Sequence, residues 1–419
     1  MNIKYNIIIS SVIILLLIIL KIINLRKYNN KDNSQLLKKE KKNTLIIFIL
    51  SIILFIFNFI FNKYINNYSL INNILSSLSI FLIALPITTH NLYNTYFNDE
   101  EKYNYIKTII TTKRVKQKVI KAINKSHINI IIVSNKEINT KIPIITLKEV
   151  NLKEMRKNNI IKTNKLTSIT KYYNESNGFY ITDNVEELYE KIINSRDILD
   201  KYQKATKYNI ITSATLILSS ILINNIYQFP YPHFLSIYAI FKLLNYINTT
   251  YIYKKINKDV DIEDRYPLDI NLKLNKQETF INIFQILMMT IGITMPYMYL
   301  LASGTTKYFG NTVLFLTIIV SLISFNIANI SEQIYLKNIY KTIKNKHTLI
   351  YTILLIILTI FIYYVPIFNT KQITYRNVLA SILAALMTTI PYDIFKLARY
   401  TSTKGTKKYD KNNKRHKRS

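Results

Sequence analysis

The chain has no cysteine and no tryptophan, and only five glycines in 419 residues. Without cysteine there is neither a disulfide framework nor a thiolate metal site, and the sequence says nothing about redox compartment. So few glycines leave no Gly-rich loop that could cradle a phosphate. Acidic residues are scarce as well, with 24 Asp and Glu against 56 Lys and Arg. His90 and His127 stand alone, without metal-ligand spacing, so no metal site is expected.

What the chain does have is long apolar sequence. Nine stretches run approximately over 6–23, 44–61, 70–88, 209–227, 233–251, 279–301, 311–331, 348–366 and 375–397. Each is long enough, at 1.5 Å rise per residue, to cross a hydrocarbon core of about 30 Å. None has an Asp or Glu near its centre, and Asp393 comes nearest, towards the inner end of the last. The expected fold is an all-α polytopic membrane protein of about nine transmembrane helices, with one small α/β insert.

The basic residues divide by side. Segments 21–43, 89–208, 252–278, 332–347 and 397–419 hold 49 of them, and the alternate segments hold 5. Lys and Arg collect on the cytoplasmic side. This arrangement puts the C-terminus inside and the N-terminus outside a multi-pass protein of the cell membrane. A net charge of +32 invites a nucleic-acid reading. The basic residues flank spans instead of lining one folded surface, however, so anionic lipid headgroups are the expected partner and nucleic acid is not. The first apolar run lacks a small-residue cleavage site, since Ile-Asn-Leu-Arg follows it, and reads as an uncleaved anchor.

Four blocks follow from this pattern: three spans in 1–88, a cytoplasmic block at 89–208, six spans in 209–397 and a basic tail at 398–419. Only the second block has room for a soluble fold. His127–Ser134 reads as a buried strand and Ile142–Leu147 as a second. Asp183–Asn209 reads as a long helix, capped by Asp183 or Asn184. Its Val185, Leu188, Tyr189, Ile192 and Ile193 fall at helical spacing. It runs on towards the span beginning near Asn209.

Several motifs carry a resemblance. Residues 348–399 contain Tyr364-Val365-Pro366, a short connecting loop, and a final span closing on Asp393, Lys396 and Arg399. Pro366 stops a helix at the interface, and the two basic residues anchor the last span to headgroups. This region resembles the last two membrane helices of P-type cation-transporting ATPases. Phe325, Asn326, Asn329, Ser331 and Glu332 are similar to the close of that family's eighth helix, with Ile330 where the family has Arg. Phe229–Asp259, with Pro230 and Pro232, resembles its fifth-to-sixth turn and sixth helix. Tyr180–Lys204 resembles the end of its phosphorylation domain through Asp183, Asn184, Arg196, Ile198 and Lys204. The four matches keep the family's order. The resemblance makes residues 44–88 the third and fourth helices and sets Pro86 beside the break of the fourth. It also makes the insert at 89–208 a reduced phosphorylation domain.

The family's chemistry is missing from the sequence. No D-K-T-G-T nucleophile, T-G-E-S actuator sequence or G-D-G-x-N-D magnesium motif occurs. Phosphoryl transfer needs a nucleophile, magnesium ligands and phosphate-binding backbone in one place. ATP hydrolysis by this chain alone is therefore not expected, and no cofactor is. The family's cation path is altered too. The stretch Phe241–Asn248 has no carboxylate where the family has N-L-x-x-D, and Ile87 replaces the fourth-helix Glu.

Lys242 stands out, because a charge inside a span costs about 3 kcal/mol on insertion scales and so is usually paired or functional. One reading makes its ammonium a tethered stand-in for a cation, held by Asn224, Asn225, Asn245 and Asn248 in a remnant of the path that includes Pro86. The other is a lysine that snorkels or faces a polar crevice. Amides in such patches more often join helices than bind ions. The resemblance implies a non-catalytic membrane subunit, regulator or scaffold. The alternatives are the membrane half of a split pump, whose headpiece is a separate protein, and a passive channel or secondary transporter.

Overall fold

The computed structural model describes residues 106–111, 115–126, 128–134, 144–146, 160–162, 179–182, 184–227, 240–256, 276–304, 306–330, 346–364 and 370–395, with single positions at 49, 53, 96 and 103. The described residues divide into two compact units, one from Tyr96 to Lys201 and one holding 202–256 and the helices that follow.

The first unit is a five-stranded parallel sheet. Its strands are β1 (Thr108–Thr111), β2 (Asn129–Ser134), β3 (Ile144–Thr146), β4 (Ile160–Lys162) and β5 (Phe179–Ile181), in the spatial order β4-β3-β2-β1-β5. β1 pairs with β2 from Thr108 against Asn129 to Thr111 against Ile132, and with β5 from Thr108 against Phe179. Every residue of β1 is buried, as expected of an inner parallel strand whose two faces are both covered. The helix α1 (Gln117–Lys125) makes the crossover from β1 to β2. Ile123 of α1 packs with Ile109, Ile130 and Ile132 of the sheet and with Val185, Leu188 and Ile192 of the next helix.

That helix, α2, runs unbroken from Val185 to Tyr227. Asn184 is its cap: its Oδ1 accepts from the backbone of Glu187, and its Nδ2 donates back to the Glu187 carboxylate at 2.9 Å. The first of these bonds satisfies one of the backbone donors that the first helical turn leaves open. Arg196, 1% exposed, donates to the Ser126 carbonyl just past the end of α1, at 3.0 Å. A cation there meets carbonyls that have no helical partner.

The second unit is helical. Alongside α2 from Tyr202 onward it holds a segment over 240–255, then α3 (Lys276–Ala302), α4 (Lys307–Ile330), α5 (Lys346–Tyr364) and α6 (Tyr375–Met387). Among the described residues four helices are long and apolar enough to cross a membrane: Val185–Ile223, Thr279–Ala302, Phe309–Ile330 and Tyr375–Phe395. A shorter apolar helix covers Leu349–Phe361. The count of nine is thus not reached. The spans expected at 6–23, 44–61 and 70–88 lie outside the described residues, apart from two helical positions at 49 and 53, and only the second half of 233–251 lies inside.

α4 is the central helix, with Leu314, Ile318, Leu322 and Phe325 buried. α3 shows the opposite pattern: Phe280, Ile283, Leu287, Ile291, Met295 and Tyr299 form an exposed apolar stripe, as on a lipid-facing helix. α3 and α6 meet at Gly292, where an added Cβ would run into the Thr388 methyl and lie 3.3 Å from the Ala384 carbonyl oxygen. Regular helix in α6 breaks at Thr388 and Thr389, and the Gln285 amide of α3 donates to the Thr388 carbonyl at 2.9 Å.

A polar centre around Lys242

The apolar unit encloses a set of polar side chains, and Lys242 lies among them with 1% exposure. Its Nζ donates to Asn209 Oδ1 at 3.0 Å and to the Ser213 hydroxyl. Asn209 and Ser213 are four residues apart on α2, one above the other on the same face, and both are fully buried. One turn of α2 therefore supplies two of the oxygens that face the ammonium.

Thr212, on the same turn, accepts from Asn245 Nδ2 at 2.9 Å while its own hydroxyl donates to the Tyr208 carbonyl at 2.7 Å. Asn245 Oδ1 accepts from the Tyr351 hydroxyl of α5 at 2.9 Å. That hydroxyl meets the Tyr208 hydroxyl at 3.1 Å, and Tyr208 also reaches the Leu322 carbonyl of α4 at 3.3 Å. α2, the 240–255 segment, α5 and α4 are thus joined by neutral amides and hydroxyls. In a medium without water such bonds join helices because the alternative is an unmet polar group.

The backbone of 240–255 is not a plain α-helix. It widens into a π turn at Asn248–Ile252 and tightens into a 3-10 turn at Tyr253–Lys255. Single π turns inside helices recur at functional positions. The Thr249 and Thr250 hydroxyls bond back to the carbonyls of Asn245 and Tyr246, which covers acceptors next to the irregular turn. Asn248 Nδ2 donates to Asn326 Oδ1 of α4 at 2.8 Å.

A second network lies where Asn329 Nδ2 donates to the Lys204 carbonyl at 2.8 Å and to the Tyr253 hydroxyl at 2.9 Å. The Tyr392 hydroxyl reaches Asn329 Oδ1 at 3.4 Å, and Lys207 Nζ donates to Tyr392 at 3.0 Å. Phe325 stacks on Tyr208 and meets Tyr392 edge-on, so aromatic contacts link the two networks.

Of the residues singled out from sequence, the structure brings Lys242, Asn245 and Asn248 to the polar interior, on one segment. Pro86 lies outside the described residues. Asn224 and Asn225 belong to α2, but their side chains are not among those described. Asn209, Thr212, Ser213 and Tyr351 were not picked out. The signal that could have found the first three is their spacing, three and four apart on one face at the start of an apolar span.

The class this geometry defines is a helical membrane domain with a buried polar interior. Residues 257–398, which include α3 to α6, match the family model described as cation transporting ATPase, C-terminus. None of the curated proteins compared matches the chain. The matched stretch contains Tyr351, Leu322 and Asn326, and begins after Lys242 and α2.

Proposed function

We propose that this chain is a non-catalytic relative of the membrane half of a P-type cation pump. In this reading it has nine spans in the cell membrane, its N-terminus outside, and its C-terminus and sheet unit in the cytoplasm. Anionic headgroups are its basic flanks' partner. It acts as a membrane subunit, regulator or scaffold near cation transport. Lys242 is the centre of the reading: its ammonium occupies the polar interior as a cation fixed to the chain.

The observation that carries this is the burial of Lys242 together with its contacts, 3.0 Å to Asn209 Oδ1 and a second to the Ser213 hydroxyl. Amide and hydroxyl oxygens are what replace water around a bound cation. An ammonium held by such oxygens in a helical interior fills the place that a mobile ion would otherwise need.

The test is to purify the tagged full chain from its native membrane in mild detergent, identify what accompanies it, and measure ATP hydrolysis. A chain with no hydrolysis of its own supports the reading. Cation-stimulated hydrolysis that follows a stoichiometric partner with an aspartyl-phosphate headpiece would replace it with the membrane half of a split pump.

A further inference from the structure

The chemistry of the oxygens around Lys242 says more than that a cation fits there. Asn209 and Ser213, which hold the ammonium, are neutral. So are Thr212, Asn245, Tyr208 and Tyr351, which bond behind them. The lack of negative charge extends along α2 beyond residue 201 and through the 240–255 segment, α4 and α5. No Asp or Glu occurs anywhere in 202–256, in 307–330 or in 346–364. Glu278, near the start of α3, and Asp393, past the break in α6, are the carboxylates of the remaining helical segments of this unit.

A neutral cage limits the charge it can hold. The self-energy of an ion in a medium of low dielectric grows as the square of its charge, so a divalent ion costs about four times as much to bury as a monovalent ion of the same size. Calcium and magnesium sites meet that cost with carboxylates. This centre has none to offer from α2 beyond residue 201, the 240–255 segment, α4 or α5. It already holds the Lys242 side-chain nitrogen against the neutral oxygens of Asn209 and Ser213, and an ammonium group is close in size to potassium and rubidium.

We infer that the centre is built for a single positive charge: the cage of Asn209, Ser213 and their neighbours takes a weakly hydrated monovalent cation of ammonium or potassium size and rejects divalent cations. This rests on the proposed reading of Lys242 as a cation fixed to the chain. It goes further by naming the class of ion whose place the lysine takes.

Shortening the side chain tests both, and in separable ways. The full-length Lys242→Met chain is reconstituted into liposomes, and uptake of radioactive rubidium and calcium ions is compared with that of the native chain. Rubidium uptake above native, with a preference of about tenfold or more over calcium, is the expected result. Calcium uptake equal to or above rubidium uptake overturns the monovalent assignment but keeps the lysine as a stand-in for a cation. A folded variant as tight as the native chain to both ions overturns the stand-in reading itself.

Should Lys242→Met not fold, Lys242→Ala is purified in rubidium, methylammonium or calcium chloride at matched ionic strength, and its thermal transition is followed. Recovery with the two monovalent ions supports the inference. Recovery with calcium overturns it, and recovery with none of them overturns the reading on which it rests.

Discussion

Tyr351 shows how much one hydroxyl carries in this interior. It donates to Asn245 Oδ1 and meets the hydroxyl of Tyr208, and its ring is fully buried. Tyr351→Phe keeps the shape and removes only the oxygen, so two buried groups lose a partner. A buried polar group left unmet costs about 1–3 kcal/mol, and a loss of that size is expected in the thermal or denaturant stability of the detergent-solubilised chain. An unchanged midpoint would show that the tyrosine pair does not hold α5 to α2. The residue scale is also where the sequence was least legible. Lys242 is conspicuous as a charge inside an apolar run, but the sequence offers Asn224, Asn225, Asn245 and Asn248 as its partners and does not point to Asn209 and Ser213. Asn224 lies 15 positions beyond Asn209 on α2, about 22 Å along the axis. Which turn of a helix faces a given lysine is decided by how two helices are set side by side, and spacing within one helix does not encode that.

Elements were more legible, because their signals are local. The strands expected within His127–Ser134 and Ile142–Leu147 are present as Asn129–Ser134 and Ile144–Thr146. The long helix is present too, and Asn184, one of two candidate caps, closes it. β1, β4 and β5 are not legible in the same way: they are three or four residues long, and none stands out as the apolar run Ile142–Leu147 around β3 does. The start of α2 gives a local prediction: Asn184→Ala removes the cap and is expected to lower the stability of the sheet unit by about 1 kcal/mol. Acid should weaken the same turn. The hydrogen bond and charge of Lys191, then the Asn184 amide, hold the Glu187 carboxyl below its usual range. A lowered carboxyl value contributes stability above the ordinary glutamate range and loses it as the pH falls through the folded value. Glu187 is exposed and screened, so the effect is small, and Glu187→Gln should abolish it in a pH series of melting curves. Between α3 and α6 the deciding residue is Gly292. Gly292→Val drives a branched side chain into Thr388 and the Ala384 carbonyl, and a loss of about 1–3 kcal/mol is expected from such overpacking. Full stability in that variant would mean that the two helices can separate freely.

At the scale of the whole molecule, topology is the open measurement, and a chain without cysteine is a ready background for it. Ser303, between α3 and α4, and Lys121 of α1 are both exposed. In intact cells an impermeant maleimide should label the Ser303→Cys chain, while the Lys121→Cys chain should react only after permeabilisation. The reverse pattern would invert the orientation drawn from the basic residues. Seen across the bilayer, Lys242 is also a source of field. Two like charges 6 Å apart repel by about 2.8 kcal/mol at an effective dielectric constant of 20, a Boltzmann factor of about a hundred. A protonated lysine with no Asp or Glu on α2 beyond residue 201, on the 240–255 segment, on α4 or on α5 projects that repulsion onto a second cation that approaches it. In the proposed reading, with Lys242 protonated, a passing cation meets an electrostatic barrier before it reaches any atom of the cage.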